Sequence, residues 1–303
     1  MRAIRMDGHG GPEVLKLADV PTPEPGEGQV RIKVAAVGVN PADWKWRAGW
    51  FQARMPLSFP HIPGYDLAGV VDKVGPGVTN LAVGARVATT TSATQGAYAE
   101  YAIVPAANPA LIPDELDFVT AAALPTPAVT GAQLVEEHVK PTAGQLVLVT
   151  GAVGAVGRFS LYCALKLGAR VVAAVRASQA DEARALGAES VIVLGQDDWI
   201  GEPFDGVADT IGGPDVARLC LSLKPGAPLC TVSTTPIDPD GLPSTPAFNA
   251  VHSDSARLAG LAQAVARGEI SMPVARRLPL AQAAEAHRLL EVEKVSGKIV
   301  LEV

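Results

Sequence analysis

Residues 145–176 read QLVLVTGAVGAVGRFSLYCALKLGARVVAAVR. An unbroken apolar run over 146–149 meets a glycine-rich turn, an amphipathic segment follows and closes at Gly168, and a second apolar run ends at Val175. Strand, turn, helix and strand in that order make one βαβ unit. Both apolar runs are continuous rather than alternating, which implies burial on two faces and therefore a parallel sheet with helices on each side. Downstream the pattern repeats: helix over 179–186, strand over 190–193, strand over 206–210, helix over 214–223 and strand over 228–232. A doubly wound parallel sheet is the expected fold of this part of the chain.

Upstream the character differs. Short strands are predicted over 29–39, 69–74, 86–90 and 99–104, separated by PEPGEG, PHIPG and GPGVTNLAVG, which are turn chemistry by content. This part reads as a twisted, barrel-like all-β module, with room for helix only near 41–49 and within 114–137. After the proline-rich TTPIDPDGLPSTP come two helix candidates, 253–267 and 280–290, and then GKIVLEV, a strand. A lone strand after a helix needs partners elsewhere, so the carboxyl terminus is expected to return to the first module. The expected division is 1–113 with 250–303 as one discontinuous domain, and 114–249 as the other.

Composition narrows the function. With 303 residues and 48% apolar side chains the chain is not disordered, and it can bury enough surface for two cores. A formal net charge of -6 supplies no general attraction for nucleic-acid phosphates or anionic lipid. The closest basic pair, Arg276-Arg277, is too short to make a stripe, so neither nucleic acid nor membrane is an expected partner. Cys163, Cys220 and Cys230 are odd in number and widely spaced, which builds neither a disulfide scaffold nor a four-thiolate zinc site. The opening MRAIRMDGHGGPEVL has no export pattern, and no window of 18 uncharged apolar residues occurs, so a soluble cytoplasmic protein is expected.

The turn Val149–Gly157 stands between a strand and a helix, the context in which a glycine run speaks of a dinucleotide. Gly154 leaves no side chain where a pyrophosphate approaches, and Gly157 permits a close helix-to-strand contact. Amides at the helix amino terminus then meet the phosphate charge. Ala152 occupies the position of the first glycine of the usual fingerprint. The expected cradle is Ala152, Val153, Gly154, Ala155, Val156 and Gly157, against the alternative of an ordinary glycine turn. An acidic residue at the end of the second strand would select an unphosphorylated ribose. Here Val175 is followed by Arg176-Ala177-Ser178, and a guanidinium with a hydroxyl beside it suits a 2'-phosphate. NADPH is therefore the expected cofactor; a solvated Arg176 past a strand end is the other reading. In an open parallel sheet ligands lie beyond the carboxyl ends of the strands. Gly212, Thr231, Val232 and Ser233 are therefore expected to border the same cofactor.

HIPGYDLAGVVDKVGPGV, GAYAEY at 96–101, the GAVGAVG turn, GARVVAAV, LKPGAPL and the closing GKIVLEV together resemble zinc-independent members of the medium-chain dehydrogenase/reductase superfamily, especially the quinone oxidoreductase and enoyl reductase branch. The resemblance spans nearly the whole chain. It implies an α/β architecture: a GroES-like β-barrel catalytic domain made from both chain ends plus a Rossmann domain with a doubly wound parallel sheet. It further implies a nicotinamide in the cleft between them, and a homodimer.

Zinc-dependent relatives carry a cysteine near Asn40-Pro41-Ala42-Asp43 and a histidine where this chain has Tyr65. With no cysteine before position 163, the three-ligand set of a catalytic zinc is missing. The five histidines are scattered and read as surface or packing residues. The resemblance places Asn40 near nicotinamide and substrate, Lys45 where a tyrosine donor often stands, and Phe51, which has no donor, at another tyrosine position. Lys45 would orient or protonate a carbonyl, unless it is a solvent-facing helix lysine. Tyr65 is a cleft candidate, the alternative being that it packs between domains while Asp66 braces a turn. Thr126 and Thr130 are candidates for touching substrate or cofactor, with Thr130 alternatively bonding its own backbone. Phe248 and Asn249 match a stretch that approaches the nicotinamide in relatives. Ala180 and Leu194 depart from the lysine and tyrosine that some relatives use for the 2'-phosphate, leaving Arg176 to replace that charge.

The expected function is reduction of a quinone, an enone or an enoyl thioester by hydride from NADPH, with donors pre-aimed at the acceptor oxygen. The rivals are an NADPH-binding structural or sensory protein and an alcohol dehydrogenase.

Overall fold

The computed structural model describes residues 1–91, 96–293 and 295–303. In chain order the first elements are β1 (Arg2–Arg5), β2 (Lys16–Asp19), β3 (Gln29–Val39), α1 (Pro41–Arg47), β4 (Asp66–Val74), β5 (Arg86–Thr90), β6 (Tyr101–Pro105), β7 (Ala110–Leu111), α2 (Phe118–Ala122) and α3 (Pro125–Gln133). A π-helical stretch, Leu134–Val139, continues α3. Then come β8 (Leu146–Thr150), α4 (Gly157–Lys166), β9 (Arg170–Val175), α5 (Ala180–Ala185), β10 (Ser190–Val193), β11 (Gly206–Asp209), α6 (Pro214–Cys220), β12 (Leu229–Thr231) and β13 (Ala247–Phe248). The chain ends with α7 (Ser255–Ala266), β14 (Val274–Pro279), α8 (Ala283–Val292) and β15 (Lys298–Glu302).

Contacts divide the chain into two compact units, Met1–Thr126 with Ser253–Val303, and Pro127–His252. The first unit thus reaches past residue 113 to Thr126, and its second segment starts at 253 rather than 250. The reason for the first shift is α2. Asp117 caps this helix, its carboxylate accepting from the Thr120 amide at 3.0 Å and the Thr120 hydroxyl at 2.7 Å. The helix then packs on β3, β4, β5 and β15, so 114–126 shares the core of the first unit.

That unit holds a mixed sheet in the order β14-β15-β3-β4-β5-β7, with β6 also paired to β3, and a separate β1-β2 ribbon. β15 pairs antiparallel with β3, Ile299 opposite Val39 and Glu302 opposite Ala36, so the carboxyl-terminal strand does return to the first module. β3 alternates between buried and more exposed positions up to Val34, then is buried throughout Val37–Val39. The change comes where α2 covers it: a Cβ on Gly38 would sit 2.2 Å from the Ala122 carbonyl oxygen. β14 was not visible in the sequence because VARRLP carries two arginines and no clean alternation.

The second unit is a six-stranded sheet in the order β10-β9-β8-β11-β12-β13, every neighbouring pair parallel. This is the doubly wound order, reversing direction between β8 and β11. β8 is buried at every position and β9 at all but its first, as continuous apolar runs require. α4 stops at the Leu167-Gly168 step, where Gly168 adopts φ +79°, a conformation that costs glycine little. Among the described residues no helix is long and apolar enough to cross a membrane.

The tight seat of α2 on β3 is testable. Gly38→Ala places a methyl against a backbone carbonyl and is expected to lower stability by about 1–3 kcal/mol in urea denaturation. An unchanged midpoint would contradict the contact.

Candidate functional site

In the second unit the glycine turn is fixed by two close approaches, at Gly151 and Gly157. Gly151 adopts φ +61°, and a Cβ there would meet the Thr210 hydroxyl at 2.5 Å. Gly151, one residue before the position expected from the fingerprint, therefore makes the tight turn, while Ala152 is fully buried. A Cβ on Gly157 would lie 2.1 Å from the Gly151 carbonyl oxygen, which is the helix-to-strand contact predicted for it. At Gly154 the same construction meets only that carbonyl, at 3.0 Å, so this position opens outward. The turn is tied down by Gly151 N donating to Ala174 O on β9 (2.8 Å) and Gly154 N donating to Gly151 O (2.7 Å).

A residue the sequence reading missed holds the same turn. Arg158, on the first turn of α4 and 2% exposed, donates to Val153 O at 2.9 Å and to the Glu182 carboxylate of α5 at 2.7 Å. The signal was a lone guanidinium among the apolar residues of an amphipathic segment. Val153 is buried, so it and Ala152 offer a ligand only backbone, whereas Ala155 and Val156 are half-buried.

Arg176 follows the end of β9 and is half-buried, its Nε donating to the Gln179 side-chain oxygen at 3.1 Å. Ser178 beside it is exposed. Across the sheet, Asp209 is completely buried at the end of β11. Its carboxylate accepts from the hydroxyls of Thr150 and Thr231, each at 2.5 Å, and from the amides of Ile211 and Gly212, each at 3.0 Å. Ser233 donates its hydroxyl to Ile211 O at 2.6 Å. The hydroxyl protons of Thr231 and Ser233 therefore shape the turns at the carboxyl ends of β11 and β12, with Gly212 at φ +72° and Val232 bonded to Asp209 O.

Three buried oxygens in this unit have no hydrogen-bond partner among the described residues: Thr130 Oγ1, Ser244 Oγ and Asn249 Oδ1. Thr130 thus does not bond its own helix backbone. Phe248, next to Asn249 on the edge strand β13, is 60% exposed.

The first unit gathers a different set. Asp66 opens β4 and has no exposed surface. It accepts from Asn40 Nδ2 at 2.9 Å, from the Thr126 amide at 3.0 Å and from the Thr126 hydroxyl at 2.6 Å. The other end of the Asn40 amide accepts from Lys298 Nζ at 2.6 Å, and Lys298 also donates to Val39 O at 2.8 Å. Asn40 and Thr126, both predicted site residues, are therefore brought together by Asp66, and both spend their side chains on the protein itself. Asp66 braces the start of a strand rather than an open turn.

Asn40 also begins α1. Its amide donates to Asp43 Oδ2 at 2.8 Å, and Pro41 occupies the first helical position, where its missing N–H costs nothing. Asp43 is fully buried and accepts a second bond from the Tyr98 hydroxyl at 3.1 Å. Tyr98 in turn lies 3.0 Å from His287 Nε2 on α8. Burial raises the Asp66 carboxyl above its ordinary range against the pull of Lys298 and its hydrogen bonds. The same cause pushes Asp43 up to about 7 and His287 down to about 3. None of Asp43, Tyr98, His287 and Lys298 was singled out from sequence, because they lie on separate elements.

Lys45 lies elsewhere on α1, its ammonium 5.6 Å from the Trp44 ring centroid and 5.5 Å from that of Trp50, where burial lowers its pKa. Its side chain is half-buried. Phe51 packs on Trp46. Tyr65 is half-buried and lines a small pocket with Asp43, Trp46, Arg47 and His61; burial raises its phenol. Among the described residues no group of three His, Cys, Asp or Glu side chains is placed to hold a metal ion.

Known proteins share this architecture. The family description "Alcohol dehydrogenase GroES-like domain" matches residues 26–114, and "Zinc-binding dehydrogenase" matches residues 186–301. A quinone oxidoreductase of Lama guanicoe is 46% identical over 158 residues, 52% of this chain and 47% of that protein. The chain spans about half the length of the first curated relatives it matches. A 2-haloacrylate reductase of a Burkholderia species is 30% identical across 96% of both chains. Among solved structures, a mycobacterial protein complexed with NADPH is 31% identical, with a TM-score of 0.83 and full coverage of both chains. On this full-length similarity, and with a tyrosine where zinc-dependent relatives carry a histidine, the chain belongs to the medium-chain dehydrogenase/reductase superfamily, in its zinc-independent quinone oxidoreductase and enoyl reductase branch.

Proposed function

We propose that this chain is an NADPH-dependent reductase that delivers hydride to a quinone or to an activated carbon–carbon double bond. The observation that carries the reading is the open backbone at Gly154, framed by the two glycines whose side chains would collide and standing at the carboxyl edge of a doubly wound sheet. A Cβ at Gly154 meets one carbonyl and otherwise points to open space, which is the shape a pyrophosphate requires. The residues present fit the cofactor: backbone of 152–157 for the pyrophosphate, and Arg176 with Ser178 for a 2'-phosphate. Thr130 Oγ1 and Asn249 Oδ1 add polar atoms whose hydrogen bonding is otherwise incomplete. The solved relative with NADPH supports the phosphorylated form of the cofactor.

Bound there, the reduced dinucleotide supplies a hydride equivalent. The chain's own part is to bind, orient and stabilise. Asn40 and Thr126, held through Asp66, act as positioning residues whose side chains set the local backbone. Lys45, a cation with its charge partly desolvated against two indoles, is the hydrogen-bond donor assigned to the acceptor oxygen, where its charge steadies the developing oxyanion. The family resemblance also supports a homodimer.

Purified protein mixed with NADPH and a panel of quinones, enones and enoyl thioesters tests the reading by loss of nicotinamide absorbance. Binding of NADPH with no oxidation by any acceptor would leave only a binding protein. Arg176→Ala is expected to weaken NADPH, but not NADH, by about 1–3 kcal/mol, or roughly five- to 150-fold in Kd; equal losses would remove Arg176 from the site. Gly154→Val is expected to abolish binding of both nucleotides while leaving the thermal midpoint within a few degrees, checked by calorimetry and melting. Lys45→Ala is expected to lower kcat about tenfold or more without changing NADPH affinity, and an unchanged single-turnover rate would exclude it.

A further inference from the structure

The first unit contains a buried polar system that the reading above does not use. Asp43 Oδ2 is saturated by the Asn40 amide and the Tyr98 hydroxyl, but Asp43 Oδ1 is buried with no partner among the described residues. Arg47, one turn further along α1 and 2% exposed, pairs with Glu291 of α8 through Nη2 at 2.5 Å, while its Nε and Nη1 are likewise buried without partners. Asp43 and Arg47 face one pocket, together with His61 and Tyr65. Its volume of about 10 Å³ is close to what one water molecule needs, and an unpaired acceptor with two unpaired donors is the polar lining that holds one.

We propose, building on the reductase reading, that Asp43 is the proton store of this protein and that it feeds Tyr65 through a water held in this pocket by Arg47. Hydride addition to an enone or quinone leaves an oxyanion, and the second half of the reduction is a proton transfer. Tyr65 O–H breaks and the substrate O–H forms; the phenolate takes a proton from the water, and the water takes one from the Asp43 carboxylic acid. Asp43 ends as a carboxylate and recovers its proton from solvent by way of the same pocket, whose lining residues Leu57 and Tyr65 are half-exposed. One proton enters per turnover, and the electrons come only from the reduced nicotinamide.

The groups facing Asp43 explain why it can serve. Burial favours the acid form, and the nearby Asp66 charge pushes in the same direction. The Asn40 amide, Lys298 on β15 and the Tyr98 hydroxyl favour the carboxylate. His287, held neutral by burial and by the Arg47 charge, meets the far side of Tyr98 and is in a position to donate Nε2–H to it, leaving the Tyr98 proton for Asp43. Burial keeps Tyr65 protonated, and Asp43, once it has become a carboxylate, favours return of the phenol. Its oxygen is hydrogen-bonded by Trp46, which also eases formation of the phenolate.

The test uses the full chain with NADPH and a soluble quinone. The Asp43 carboxyl, labelled with ¹³C and assigned by its loss in Asp43→Asn, is followed by NMR as pH rises, and kcat is measured over the same range in H2O and D2O. A store that must be protonated predicts that kcat falls as pH rises through the midpoint read by NMR, with a solvent isotope effect. Tyr98→Phe removes a bond to the carboxylate and keeps the ring, so both the NMR midpoint and the falling limb are expected to move up together by roughly 0.5–1 pH unit. Asp43→Asn is expected to lose the limb and about a hundredfold in kcat while keeping its Kd for NADPH. If that variant does not fold, Tyr98→Phe decides alone. A limb that stays put when the NMR midpoint moves, or an Asp43 that is ionised throughout, overturns the relay and leaves the reductase reading standing. A wild type that binds NADPH and reduces no acceptor overturns the reductase reading, and the relay falls with it.

Discussion

Asp66 is a carboxylate without contact with water, and the first unit is organised around keeping it there. Its partners come from three separated stretches: Asn40 at the start of α1, Thr126 at the end of the first chain segment, and Lys298 of the carboxyl-terminal strand acting through the Asn40 amide. Three donors at hydrogen-bond distance and a nearby ammonium offset part of the desolvation of the charge. Removing one partner of such a buried arrangement costs about 3–5 kcal/mol, because the group left behind has nowhere to find water. The return of β15 to β3 is therefore held by more than strand pairing: it brings in the only cation placed between Asp66 and Asp43 among the described residues.

The second unit meets a similar problem without a cation among the hydrogen-bond partners of the described residues. Asp209, equally buried, is met by two hydroxyls and two amides from β8, β12 and its own following turn. These bonds hold the loops at the carboxyl ends of three adjacent strands in fixed positions, which is where an open parallel sheet binds its ligand. Arg158 does the same for the glycine turn from beneath. In both units the side chains nearest the expected chemistry are mostly committed to the protein's own polar networks, and backbone groups with a few unspent atoms are what face outward. Such pre-organisation suits a reaction whose difficulty lies in orientation and in stabilising a developing charge.

The glycine turn, its helix and the flanking strands were legible because each is a local pattern. The strand 190–193 and the strand 86–90 match their predicted limits, and the helix at Pro41 lies within 41–49, where the sequence left room for one. Ala152 was assigned the turn position that Gly151 takes, since the fingerprint gives spacing but not φ. β14 and the short β13 were missed, the first for its arginines and the second for its length of two residues. Contacts carry the first unit past 113 to Thr126, because α2 shares its core.

Local periodicity and turn chemistry in the sequence alone determined a doubly wound sheet with a glycine cradle, an all-β module before it, and a last strand in need of a partner. Each of these depends on residues within one or two turns of each other. Only the tertiary structure decided that Asn40, Asp66, Thr126 and Lys298 form one network, that Asp43 sits between Tyr98 and a pocket lined by Arg47 and Tyr65, and that Thr231 and Ser233 spend their hydroxyl protons within the protein. The reason is burial: a carboxylate is ordinary in a sequence, and its chemistry is set by which distant groups replace its water.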